Sequence, residues 1–120
     1  RHALAKRYDE LLSDLPLITP WQNPDSYSGL HLYVIRLRLE LIDKTHRDVF
    51  EGLRAQGIGV NVHYIPVHTQ PYYAQMGFAA GDFPQAQQYY SQAISLPMYQ
   101  DLTHAQQDQV VNALRQVLTV

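Results

Sequence analysis

The sequence contains no cysteine, which excludes disulfides, thiolate nucleophiles and thiolate metal sites but leaves the redox compartment open. It has no basic run either: nine Lys and Arg are set against eleven Asp and Glu, for a formal net charge of -2. Nothing in it could track a phosphate backbone, so nucleic acid is not an expected partner. No stretch approaches the roughly 20 apolar residues of a membrane span. We therefore expect a soluble chain with no membrane partner, and take the cytoplasm as the default location. Lysine is scarce, with only Lys6 and Lys44 present.

What is present suits one buried core. With 120 residues, of which 46% are hydrophobic, the chain is long enough for a single domain and short for two. Leu4, Tyr8, Leu11, Leu12 and Leu15 recur at helical spacing. No N-cap residue precedes Arg1, so the first helix is expected to be entered part-way and the natural polypeptide to be longer. That helix should stop before Pro16, and PLITPWQNPDSYSG reads as loop.

In HLYVIRLRLEL, Leu32, Val34 and Ile35 open a strand, and Ile35, Leu37, Leu39 and Leu41 alternate with Arg36, Arg38 and Glu40. Asp43 is placed to cap a helix from Lys44 to Gln56, with an apolar stripe of Val49, Phe50 and Leu53 and a terminating Gly57. IGVNVHYIPVH then alternates Ile58, Val60, Val62 and Tyr64 until Pro66 removes a ladder donor. A loop with a short helix near Tyr73 follows. Asp82 and Gln85, with Pro84 in the first turn, predict a helix through about Gln92. Ile94, Leu96 and Met98 alternate as a short strand. Thr103 and Gln106 form a capping box for a last helix whose Val110, Val111, Leu114, Val117 and Leu118 share one face.

Alternating helices and strands would ordinarily suggest a parallel α/β sheet. The strands here are few and half-polar, which predicts an α+β fold, with a small open sheet of about three strands packed against helices on one side.

The densest cluster of imidazole, phenol and amide groups is NVHYIPVHTQPYY, from Asn61 to Tyr73, where a strand gives way to a proline-bent loop. VHYIPVHTQPYY, followed by GDFPQAQQYYSQAISLPMYQDLT and preceded by SGLHLYVIRL, resembles the C-terminal signature of the DegT-type aminotransferases, which act on nucleotide-linked sugars. The likeness covers nearly the whole chain. Within the family, HYIPVHTQPYY together with AISLPMY most resembles the enzymes of the pseudaminic-acid route, which aminate a UDP-linked 4-keto-6-deoxy-N-acetylhexosamine using glutamate.

The resemblance implies a homodimer of fold-type-I subunits in which residues 1–120 form the small domain and a large domain binds pyridoxal phosphate. By motif, Asn61, Val62, His63 and Tyr64 would line the sugar-nucleotide site, with His31 and Tyr33 as possible supports. The Schiff-base lysine, the acid facing the pyridinium nitrogen and the phosphate-binding residues belong to the family's N-terminal part. Lys6 lies on the entry helix and Lys44 in a first helical turn, both expected in solvent. No cofactor and no catalysis are expected of this chain alone.

Other readings compete. His63 and His68 fall short of the three or four ligands zinc takes, and His63 could simply be a hydrogen-bonded histidine at a strand end. Ser91 or Ser95 with His104 and Asp101 lacks a nucleophile elbow. Tyr72, Tyr73, Tyr89 and Tyr90 read as amphipathic packing. Arg36 and Arg38 could grip phosphate, although alternation on a half-buried strand explains them more simply. A non-enzymatic binding or interaction module with this fold is the rival to the aminotransferase reading.

Overall fold

In a computed structural model, residues 2–22, 24–25, 32–62 and 69–119 are described. Leu4, Ala5 and Tyr8 line the buried side of helix α1, His2–Leu11, and Leu12 and Leu15 continue that apolar side beyond its last turn. The chain then forms a strand that the proline-rich composition concealed: β1, Leu17–Ile18. It pairs antiparallel with β2, Tyr33–Leu37, through Leu17 opposite Leu37 and Ile18 opposite Arg36. On its other edge β2 pairs antiparallel with β3, Ala93–Leu96. The sheet order is β1-β2-β3.

The predicted long strand through Leu41 is cut short at Leu37. β1 ends as a ladder partner there, the Arg38 N–H donates to Pro16 O at 3.0 Å, and Leu39–Leu41 winds into a 3-10 turn. Leu41 is 64% exposed as a result.

Helix α2, His46–Ala55, starts later than expected. Its cap is Thr45, not Asp43: Thr45 Oγ1 accepts from the Asp48 N–H at 3.1 Å, and Asp48 Oδ2 accepts from the Thr45 N–H at 3.2 Å. A reciprocal box satisfies two orphan donors where a lone Asp would satisfy one. Lys44 is thereby left outside the helix. At the other end Gly57 adopts φ +82°. Its N–H donates to Arg54 O and that of Ile58 to Leu53 O, a Schellman closure that returns the chain to the core.

Before β3 in the chain come the short helices α3, Pro71–Gln75, and α4, Pro84–Gln92. Asp82 does not cap α4. Its carboxylate accepts instead from the Ala79 N–H at 2.8 Å, closing a 3-10 turn at Ala80–Asp82. Helix α5, His104–Thr119, begins with the expected box: Gln106 Oε1 accepts from the Thr103 N–H at 2.9 Å and Thr103 Oγ1 from the Gln106 N–H at 3.1 Å.

The core lies between one sheet face, with Tyr33, Ile35, Leu37, Ile94 and Leu96, and helices α1, α2 and α5. Each such aliphatic side chain contributes about 1.5–3 kcal/mol on full burial. Gly52 allows α2 to approach α5 closely, since a Cβ there would stand 3.3 Å from Val117 Cγ2. Buried Gln107 ties α5 to α1 by donating from Nε2 to Leu4 O at 2.8 Å. The helices are not confined to one side. α4 brings Tyr89 and Gln92 to the opposite face, where Arg36 Nε and Nη2 donate to Gln92 Oε1 at 3.2 and 3.0 Å.

Candidate functional site

The Schellman turn at Gly57 directs Ile58 inward, and Val60, 2% exposed, anchors the following run in the core. Asn61 is then held against the free edge of β3 from both sides of its peptide: its N–H donates to Ser95 O at 3.2 Å, and its carbonyl accepts from the Ser95 N–H at 2.7 Å. This is a single antiparallel bridge and not the predicted continuous strand. It fixes Asn61 at the edge of β3.

Asn61 is exposed, and Val62 is part-buried. His63, Tyr64 and His31 lie outside the described residues, as do Pro66 and His68. Paired residues in a ladder share a face, so Asn61, Ser95 and Val34 are on one side of the sheet. Tyr33 is on the other. The structure thus brings Asn61 and Val62 to β3's edge but puts Tyr33 beneath α1.

Tyr33 is 2% exposed, its ring centroid is 4.8 Å from that of Tyr8, and its hydroxyl donates to Asp9 Oδ1 at 2.5 Å. Burial first, and then the bond to Asp9, push the Tyr33 phenol far above its usual range. Tyr8 is raised in the same way, chiefly by burial and secondarily by Tyr99, and its hydroxyl donates to Pro97 O at 2.7 Å. Both phenols are therefore neutral hydrogen-bond donors that fix β2 and the turn after β3 to α1. Sequence spacing identified Tyr8 as core but not this pair, because its acceptors, Asp9 and the Pro97 carbonyl, are set by tertiary contact.

Arg36 is committed as well. Besides Gln92, its guanidinium stands 5.4 Å from the Tyr89 ring centroid. The ring is pushed above the ordinary phenol value by burial, with Arg36 acting in the opposite direction. Arg38 is exposed. Nor do the serines form a triad: Ser91 Oγ donates to Gln88 O at 2.7 Å, and Ser95 is a strand residue. Among the described residues, no group of three or more His, Asp or Glu could hold a metal ion.

A groove of about 380 Å³ opens between Gly57–Gly59 and the start of α5, beside the run that leads to Asn61. Tyr99, Gln106 and Gln109 line it without a charged side chain, so it offers no counter-charge to a phosphate. The lysines do not fit a cofactor imine. Lys44 Nζ donates to Val117 O at 2.6 Å, where it satisfies a carbonyl in the last turn of α5, and Lys6 is exposed on α1. No helix among the described residues is long and apolar enough to cross a membrane.

The sequence pattern of the DegT/DnrJ/EryC1/StrS aminotransferase family matches residues 1–115. SpsC of Bacillus subtilis (strain 168), a spore coat polysaccharide biosynthesis protein, is 36% identical over 98% of this chain and 31% of its own length. A dTDP-3-amino-3,4,6-trideoxy-α-D-glucose transaminase of Micromonospora megalomicea subsp. nigra is 35% identical over 99% of this chain and 32% of its own. Among solved structures, S. venezuelae DesV in complex with a ketimine intermediate superposes with a TM-score of 0.85 at 32% identity, covering 96% of this chain and 30% of that one. Helicobacter pylori PseC, an aminotransferase involved in the biosynthesis of pseudoaminic acid, shares the fold with a TM-score of 0.85 at 24% identity over 98% of this chain and 31% of its own. The chain thus spans about a third of the length of these relatives.

Proposed function

The chain belongs to the DegT/DnrJ/EryC1/StrS aminotransferase family, and from that membership we propose that it is the substrate-facing C-terminal small domain of a longer, pyridoxal-phosphate-dependent sugar-nucleotide aminotransferase. The observation that carries the reading is one of coverage: 98% of this chain matches SpsC while spanning only 31% of that protein. Pyridoxal phosphate, when bound, supplies the electron sink for amino transfer. The lysine contacts and exposure described above favour its being held by the large domain and not by these residues.

In this reading Asn61, Val62, His63 and Tyr64 face the sugar nucleotide, and the Asn61–Ser95 bridge holds Asn61 at the edge of β3. An amide, an imidazole and a phenol are suited to the hydroxyl and amide groups of such a ligand. Tyr33 acts indirectly, by fixing β2 to α1 through Asp9, and His31, two residues before it in the sequence, is proposed as a second support. The whole protein is proposed to be a homodimer that takes the amino group from glutamate.

The finer proposal is a UDP-linked 4-keto-6-deoxy-N-acetylhexosamine as acceptor, on the pseudaminic-acid route to a surface polysaccharide or flagellin glycan. It rests on the combination of HYIPVHTQPYY with AISLPMY. A 3-keto acceptor is the second reading, favoured by the 35% identity to the dTDP-3-amino sugar transaminase. Steady-state kinetics of the complete polypeptide with each keto sugar separate the two. His63→Ala is expected to raise the KM for the sugar nucleotide while leaving that for glutamate unchanged, and unaltered constants would remove His63 from the site.

A further inference from the structure

The stretch from Thr69 to Gln92 carries one charged residue, Asp82, and that carboxylate is engaged by the Ala79 N–H at 2.8 Å. Neither α3 nor α4 contributes a buried side chain to the core. Instead, apolar groups stand in solvent: Tyr72 is 68% exposed, Met76 61%, Phe78 40% and Phe83 47%. The rings are ordered against one another. Tyr72 meets Tyr73 edge-on with centroids 5.1 Å apart, Tyr73 meets Phe78 at 6.2 Å, and Phe78 meets Phe83 at 6.2 Å. The result is a continuous aromatic ladder.

Solvated surfaces are normally charged, whereas depletion of charge with enrichment in Tyr, Phe and Met marks the centre of an interface.

We propose that the ladder from Tyr72 to Phe83 is the docking surface for the large domain that precedes Arg1 in the longer polypeptide. This rests on the small-domain reading above. The length of the relatives selects this occupant over a second copy of the small domain, because the chain spans only 31% of SpsC and 30% of DesV. Most of a polypeptide of that length lies outside residues 1–120. The occupant's matching face is apolar, with acceptors for the Tyr72 and Tyr73 hydroxyls.

The test places a benzophenone amino acid at Phe78 of the complete polypeptide, measures the intact mass, irradiates, and maps cross-linked peptides by mass spectrometry. Cross-links to peptides that precede Arg1 are expected, and Tyr72→Asp combined with Met76→Asp should lower their yield severalfold. An intact mass of only 13.8 kDa would remove the large-domain reading and this surface with it. A heavier polypeptide whose cross-links stay within residues 1–120, or that forms none, overturns the docking surface alone.

Discussion

Raising the pH should destabilise this chain through two particular phenols. Tyr8 and Tyr33 are 0% and 2% exposed, and both are held above the ordinary value of 10.0, chiefly by burial. For such groups the folded state keeps the proton that the unfolded state releases. Their stabilising effect is complete below pH 10.0 and is lost as pH rises toward their folded values. Each proton retained costs about 1.4 kcal/mol per pH unit once the unfolded phenol is ionised. The pair therefore removes about 2.8 kcal/mol between neutrality and pH 11, a large part of a typical 5–15 kcal/mol. Urea titrations followed by far-UV circular dichroism at pH 8, 10 and 11 measure this. Tyr8→Phe, which leaves the Pro97 carbonyl without its donor, should cost about 1 kcal/mol at pH 8. Each of Tyr8→Phe and Tyr33→Phe should also remove about half of the alkaline slope. An alkaline slope unchanged in the double variant would refute the assignment.

Three further outcomes follow from the same contacts. Gly52→Val drives a branched side chain against Val117, already 3.3 Å from where a Cβ would sit, and should destabilise by about 1–3 kcal/mol in a denaturant melt. Thr103→Ala removes the hydroxyl that caps α5 and should cost about 1 kcal/mol by the same assay, whereas Thr103→Ser should cost much less. The Arg115 guanidinium beside Asp14 lowers that carboxyl below 3.8, so its contribution is present above that pH and lost as pH falls through the folded value. Asp14→Asn should accordingly make the acid limb of a stability–pH profile shallower, and an identical limb would show that the pair does not link α5 to the turn after α1.

Several features that residues signal through local spacing were legible in the sequence. The box of Thr103 and Gln106, the stripe from Val110 to Leu118 and the stop at Gly57 each depend on neighbours within a turn or two, and each is found in the structure. The α+β sheet of three strands was likewise legible. Most of what was missed depends on partners distant in sequence, the caps at Asp43 and Asp82 being local exceptions. β1 is a strand only because β2 lies beside it, and β2 stops at Leu37 because β1 ends. Asp43 lost the cap because Thr45 and Asp48 satisfy each other. At the candidate site, the motif marked Asn61 and Val62, but nothing in its spacing showed that Asn61 is pinned to Ser95. Nor did it show that Tyr33 donates to Asp9 on the opposite face. Arg36 alternated as a solvated strand residue should, yet it is stacked on Tyr89 by a helix that arrives from far along the chain.

Whether this chain completes a sugar-nucleotide aminotransferase is decided by supplying the complete natural polypeptide with pyridoxal phosphate, glutamate and a UDP-linked 4-keto-6-deoxy-N-acetylhexosamine, and following the sugar nucleotide by mass spectrometry. Conversion of the ketone to the amine, with one 2-oxoglutarate formed per amino group transferred, is the predicted result. Absence of amino transfer to this sugar and to every other nucleotide-linked keto sugar offered, by a polypeptide that has bound the cofactor, would contradict it.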